Sequence, residues 1–174
     1  HFRTDLLMSR AAKPAAYQRA AGEIDPVAML RRLELDLDDL RAFVERAHER
    51  GVHAIVTVFS VELMDEARAL GWDAFKSASP DVVNRPVLEA MAGDARPLIV
   101  STGASTLDEV RRAWGWLEDV RDRVALLQCV SCYPAPEAAL GGIGALASAC
   151  PGVAAVGYSD HTAHARTGGA AARA

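Results

Sequence analysis

Val153-Ala154-Ala155-Val156-Gly157 is a short apolar run, and Tyr158-Ser159-Asp160-His161-Thr162 follows it directly. The run reads as a buried strand from Val153 to Gly157. The polar cluster stands where that strand ends, and a helical pattern begins near Ala163. Parallel α/β enzymes gather their chemistry at such C-terminal strand ends. The same residues also suit a turn in which Ser159 and Asp160 cap the next helix. Four earlier segments break off in the same polar way, and that recurrence favours the first reading.

Working outward, a regular beat emerges. A strand near His53 to Phe59 precedes a helix over Val61 to Leu70, with Ser60 as its cap. Ala74 to Ser77 reads as a strand before a helix near Pro86 to Ala92. Leu98 to Ser101 is followed by a helix from Leu107 to about Val120, with Thr106 and Glu109 at capping-box spacing. Val124 to Val130 leads through Tyr133-Pro134-Ala135-Pro136 to a Gly-rich helix near Leu146. Continuous apolar strands alternating with helices predict a parallel sheet covered on both faces. No GxGxxG follows any strand, which counts against a dinucleotide-binding doubly wound sheet. Polar residues at every strand end fit the single mouth of a (β/α)8 TIM barrel. Such a barrel needs eight units, and this sequence supplies about five.

Upstream, Leu6, Leu7 and Met8 are apolar enough to pack on the body, and a short helix is expected around Ala15 to Ala21. Pro26 suits a first helical turn. Leu40, Phe43, Val44 and Ala47 fall at helical spacing after Asp36 or Asp38 as cap, and Gly51 stops that helix.

The chain has 174 residues and 51% hydrophobic content, enough for one domain with a real core. A net charge of -4 excludes a basic nucleic-acid or lipid-binding surface. No stretch is long and apolar enough to span a membrane, and His1 to Asp5 carry no apolar signal core. The absent starting Met and the Ala-rich end lead us to expect a segment of a longer barrel. Cys129 and Cys132 have CxxC spacing, but no second pair completes a zinc site. With Cys150 they are expected to be reduced thiols of a cytoplasmic protein.

The strand ends collect Thr57, Phe59 and Ser60; Lys76, Ser77 and Ser79; Ser101, Thr102 and Gly103; Ser131 and Tyr133; and Ser159, Asp160 and His161. Of the 19 basic residues only Lys13 and Lys76 are lysines, and Lys76 stands in an apolar run. A point charge among hydroxyl donors is a phosphate site. A Schiff-base lysine is the alternative. His161 is a candidate metal ligand or acid/base group. His164 is expected inside the following helix, and His48 and His53 are read as structural.

In this order, Thr57-Val58-Phe59-Ser60, Lys76-Ser77-Ala78-Ser79 with Asn84, Ser101-Thr102-Gly103, Ser131-Cys132-Tyr133-Pro134-Ala135-Pro136 and Gly157-Tyr158-Ser159-Asp160-His161-Thr162 resemble the sialic acid synthase family. That family includes the N-acetylneuraminate, legionaminate and pseudaminate synthases. The resemblance implies a (β/α)8 barrel of which strands three to seven are present, in one partial domain spanning 1–174. It places the family's capping antifreeze-like domain outside this chain. It implies condensation of phosphoenolpyruvate with an N-acetylated aminosugar, and release of phosphate. Thr57, Lys76, Ser79, Ser101 and Ser159 then correspond to the phosphoenolpyruvate-binding set, and Ser131 and Tyr133 to substrate contacts. His161, Lys76 and Tyr133 become the catalytic candidates. His161 is implied as one of two histidine ligands to Mn2+ or Mg2+, and the whole protein is expected to be a homodimer. Gln128, Val58 and Pro80 depart from the family pattern, Gln128 at a place read as lying near the mouth. The alternatives are a non-catalytic sugar-phosphate-binding or protein-binding relative, or another phosphoenolpyruvate aldol-type synthase. The Ser159-Asp160-His161-Thr162 run argues against the last.

Overall fold

The computed structural model describes residues 3–9 and 11–174. His1 and Phe2, which begin the stretch read as lacking a signal core, lie outside them. Five strands form one sheet in the order β1-β2-β3-β4-β5. They are β1 (Ile55–Thr57), β2 (Ala74–Ser77), β3 (Leu98–Ser101), β4 (Val124–Cys129) and β5 (Ala155–Ser159). All four pairings are parallel. A doubly wound sheet reverses its strand order at a switch point. A sheet that keeps chain order is wound in one direction, as TIM barrels are. The chain therefore presents five consecutive βα units of barrel type.

Helices α1 (Thr4–Leu7), α2 (Ala16–Ala20), α3 (Pro26–Arg32) and α4 (Leu37–Glu49) precede the sheet. After it begins come α5 (Met64–Ala69), α6 (Arg85–Ala92), α7 (Leu107–Trp116), α8 (Gly141–Ala149) and α9 (Thr167–Ala171). Local chemistry sets their ends. Pro26 opens α3 behind Asp25, whose side chain accepts from Val27 and Ala28 N–H. Asp36, not Asp38, caps α4. At its other end Gly51 takes φ +67°. Its N–H bonds to His48 O, and Val52 N–H bonds to Ala47 O. That pattern is a Schellman stop, and a side chain at Gly51 would be strained. The capping box of α7 is complete, with Thr106 N–H donating to Glu109 at 2.7 Å.

The helices cover one face of the sheet and not both as expected, because in a barrel-type sheet the other face turns inward. Phe75, Leu98, Val100, Val124 and Leu126 point into it and pack on Met64, Leu88, Met91, Val110 and Trp114. Phe75 is fully buried, so Phe75→Ala is expected to cost about 3–5 kcal/mol. Strand alternation sends Thr57, Lys76, Ile99, Ser101, Leu127, Cys129 and Ser159 to the opposite face.

Some boundaries differ from the sequence reading. β1 is shorter than His53 to Phe59: it starts at Ile55 and ends at Thr57, with Val58 N–H making a last cross-strand bond to Lys76 O at 3.0 Å. β5 begins at Ala155 and runs to Ser159, so Ser159 is a strand residue. The helix expected over Val61 to Leu70 is a 3-10 turn, Val61–Leu63, followed by α5. Ser60 does not cap it, and its hydroxyl donates to the Glu62 carboxylate instead. The helix expected to reach Val120 ends at Trp116, and the 3-10 turn Glu118–Arg123 follows. His164 lies before α9, in an exposed turn, not within a helix.

The arginine excess has a structural use. Arg123 donates to Arg96 O and Ala92 O, and Arg96 to Trp72 O and Arg68 O. A planar fork joins two carbonyls in fixed geometry, which an ammonium does not. Arg96 also lies 4.7 Å over the Phe75 ring. These bonds sit at the N-terminal ends of the strands, away from the mouth.

Candidate functional site

The register builds the site. Thr57 pairs with Lys76, and Lys76 with Ile99. Ser101 pairs with Leu127, Leu127 with Gly157, and Cys129 with Ser159. Thr57, Lys76, Ser101 and Ser159 therefore share the face opposite the helices, toward the C-terminal strand ends. Lys76 is half-buried, and burial pulls its pKa below the ordinary 10.5, with Cys129 opposing. The one hydrogen bond of its ammonium among the described residues is a long 3.4 Å contact to Ser77 O. It forms no ion pair among the described residues, so its charge is available to an anion.

The serines divide into three groups. Ser101 Oγ is buried and has no hydrogen-bond partner among the described residues. Ser79 Oγ is committed: it accepts from Gly103 N–H at 3.1 Å and lies 3.1 Å from Cys129 Sγ. Gly103 permits this approach, since an added Cβ would stand 2.5 Å from Cys129 Sγ. Ser79 thus ties the exits of β2, β3 and β4 together. Ser131 is exposed on the loop after β4. Thr102 lies deeper and spends its hydroxyl on Leu127 O at 3.0 Å.

His161 is the most tightly held side chain of the group. Its Nδ1 lies 2.6 Å from Val130 O, and its Nε2 lies 3.4 Å from Ser159 Oγ. A carbonyl only accepts, so the proton of the neutral ring is on Nδ1 and the lone pair is on Nε2. The Tyr133 ring stacks on the imidazole with centroids 4.3 Å apart. The main chain adds Ala135 N–H to His161 O at 2.7 Å. Asp160 takes no part in this stack. Its carboxylate accepts from Thr162 N–H and Thr162 Oγ1 at 2.8 and 2.9 Å. The bond from Thr162 N–H is the main reason its pKa is depressed. Thr162 Oγ1 accepts in turn from Thr167 at 2.9 Å.

Asp81 was missed in the sequence because it sits in a turn with no periodic signal. It stands two residues after Ser79 in the 3-10 turn Ser79–Val83, is half-buried, and accepts from Asn84 Nδ2 at 3.2 Å. Burial raises its pKa above the usual carboxylate value. A perturbed carboxyl at a strand exit is a candidate proton carrier.

Gln128 needs correction. Alternation and contacts put its side chain on the helix-facing side, against Gly142 of α8, and not at the mouth. The three cysteines are free, with Cys129 and Cys150 buried and Cys132 exposed. His48 and His53 sit at the opposite end of the sheet beside Asp73.

For the expected Mn2+ or Mg2+ the donors present are few. His161 Nε2 is one suitable nitrogen, fixed by the bond that its Nδ1 makes. No group of three or more His, Cys, Asp or Glu able to hold a metal occurs among the described residues. One imidazole does not hold Mn2+ or Mg2+, which prefer oxygen donors. The described residues do not by themselves fit a metal.

The NeuB family model matches residues 1–174. The chain belongs to the NeuB family. It is 33% identical over 168 residues to the N,N'-diacetyllegionaminic acid synthase of Campylobacter jejuni, covering 92% of this chain and 50% of that protein. It is 30% identical over 155 residues to the spore coat polysaccharide biosynthesis protein SpsE of Bacillus subtilis, covering 87% and 41%. The crystal structure of N-acetylneuraminic acid synthetase from Leptospira borgpetersenii, in complex with citrate, superposes with a TM-score of 0.76 at 26% identity. That match covers 97% of this chain and 60% of the other. The chain spans about half the length of the curated relatives it matches. No helix of the described residues is long and apolar enough to cross a membrane.

Proposed function

We propose that this NeuB-family chain forms the catalytic core of an enzyme that condenses phosphoenolpyruvate with an N-acetylated aminosugar. The observation that carries the reading is one face with an unpaired ammonium, a buried unpartnered hydroxyl and an imidazole lone pair. These groups are Lys76, Ser101 and His161. The relatives named as sialic-acid-type synthases support it.

Lys76 neutralises the phosphate or carboxylate of phosphoenolpyruvate, and Thr57, Ser101 and Ser159 give directional donors. Ser79 supports this set from below through Gly103 and Cys129. Carbon 3 of phosphoenolpyruvate bonds to the aldehyde carbon of the open-chain sugar, whose oxygen takes up a proton. Water adds at carbon 2 and gives one proton to a base at the mouth, for which Asp81 and His161 Nε2 are the candidates. The bond from carbon 2 to the phosphate oxygen then breaks, the second proton of that water goes to the departing phosphate, and carbon 2 becomes a ketone. Tyr133 and Ser131 border the sugar side. The metal of the family's chemistry, the homodimer, the cytoplasmic location and the identity of the aminosugar belong to this proposal as expectations for the whole protein.

The test is phosphate release by the full-length protein with phosphoenolpyruvate and N-acetylmannosamine-type sugars. Sugar-dependent release is expected. Release that ignores the sugar, or none with any N-acetylated aminosugar, overturns the reading.

A further inference from the structure

Gln128 on β4 reaches across to the start of α8. Its Nε2 donates to Ala139 O at 3.3 Å. The same carbonyl accepts from Gly142 N–H at 3.0 Å as the helix begins, and Ala139 itself has φ +48°. Gly142 is where the Gln128 amide rests: an added Cβ would lie 2.4 Å from both Cδ and Oε1. A side chain at position 142 would push the Gln128 amide out of this place. Between Gln128 and Ala139 runs the loop that carries Ser131 and Tyr133 and gives Val130 O to His161. One side chain joins the two ends of that loop.

We propose that Gln128 and Gly142 act as one device that fixes the span of the loop between β4 and α8. Gln128 is then a positioning residue for Ser131, Tyr133 and His161. Its importance for catalysis rests on the functional reading above, while the loop geometry does not. The amide is required because the partner is a carbonyl. A carboxylate of the same shape cannot donate, and it sets two acceptors against each other.

The experiment uses the full-length protein and the variants Gln128→Glu, Gly142→Ala, and Gln128→Ala alone and with Gly142→Ala. The readouts are amide hydrogen exchange along residues 131–140 and the side-chain NMR signals of His161 and Tyr133. Gln128→Glu is expected to speed exchange in the loop about fivefold, the loss of one hydrogen bond, and to shift both ring signals. Gly142→Ala should reproduce this by displacing Gln128. The double variant, in which the added methyl enters vacated space, should be no worse than Gln128→Ala alone. Unchanged loop exchange and ring signals in Gln128→Glu overturn the proposal. So does faster exchange spread evenly over the sheet, or strict additivity in the double variant. A phosphoenolpyruvate KM raised about fivefold by Gln128→Glu is the catalytic counterpart. If the wild type shows no sugar-dependent phosphate release, the functional reading fails, and the exchange and NMR results still decide this one.

Discussion

The imidazole of His161 donates through Nδ1 to Val130 O at 2.6 Å, which joins the exits of β4 and β5. One ring nitrogen is thereby spent on structure and the other is left for chemistry. The two roles separate by substitution. In His161→Asn the amide nitrogen can still reach Val130 O, but nothing replaces Nε2. His161→Ala removes both. In the full-length protein His161→Asn should lower phosphate release about 100-fold or more, as for loss of an acid/base group. Its thermal melt should stay close to wild type. His161→Ala should lose activity and about 0.5–1.5 kcal/mol of stability, because Val130 O keeps only the Cys132 N–H as donor. Near-wild-type turnover in His161→Asn would assign the ring to structure alone.

Lys76 is held in a place that disfavours its charge. A base whose folded pKa lies below its unfolded value binds fewer protons when folded. Stability then rises as pH climbs through that window, and the charge is a burden at neutral pH. Lys76→Met should therefore raise the melting temperature of the ligand-free protein while abolishing phosphoenolpyruvate binding by calorimetry. Lys76→Arg should not restore full affinity, since the planar fork fits a different geometry. A Lys76→Met variant that binds phosphoenolpyruvate normally removes Lys76 from the site.

Ser77 and Ser101 make a controlled comparison. Both hydroxyls are buried and lack a hydrogen-bond partner among the described residues. Ser77 shares its face with Phe75 and pairs with Val100, so it lies within the helix-covered core. Ser101 lies on the open face with Lys76. Ser77→Ala and Ser101→Ala should each stabilise the protein by about 1 kcal/mol in urea unfolding, by removing an unsatisfied group. Only Ser101→Ala should weaken phosphoenolpyruvate binding. Equal effects of the two on binding would show that the unpaired hydroxyl at Ser101 has no special role.

The strands and their mouth were legible because a buried parallel strand is written as a continuous apolar run with a polar break. Lys76 stood out by its rarity in an arginine-rich chain. The arrangement of the side chains was less legible. Ser79 and Ser101 look alike in sequence, yet one is bonded to Gly103 and the other is free, a difference made by long-range contacts. Val130 contributes a carbonyl, which leaves no signature in residue type. Gln128 was misread because a one-residue step along a strand reverses the face. Asp81 hid in a turn between two readable elements.

At the opposite end of the sheet Asp73 fastens three segments. One carboxylate oxygen accepts from Ala54 N–H at 2.7 Å and lies 2.9 Å from His48 Nε2; the other lies 3.6 Å from His53 Nδ1. These join the end of α4, the approach to β1 and the approach to β2. The Ala54 bond, then His48, lowers the Asp73 pKa from the ordinary 3.8 to about 2. For an acid with a depressed folded pKa, the stabilisation is complete above the unfolded value and is lost as pH falls through the folded one. The clasp should hold at neutral pH and fail between about 4 and about 2. Asp73→Asn should be less stable than wild type at pH 7, and the two should converge in stability near pH 2. Because the site is at the other end of the strands, the variant should keep its KM for phosphoenolpyruvate at neutral pH. Unfolding curves at several pH values check this, and a wild-type-to-variant gap that persists unchanged to pH 2 would show that the Asp73 charge does not hold these segments together.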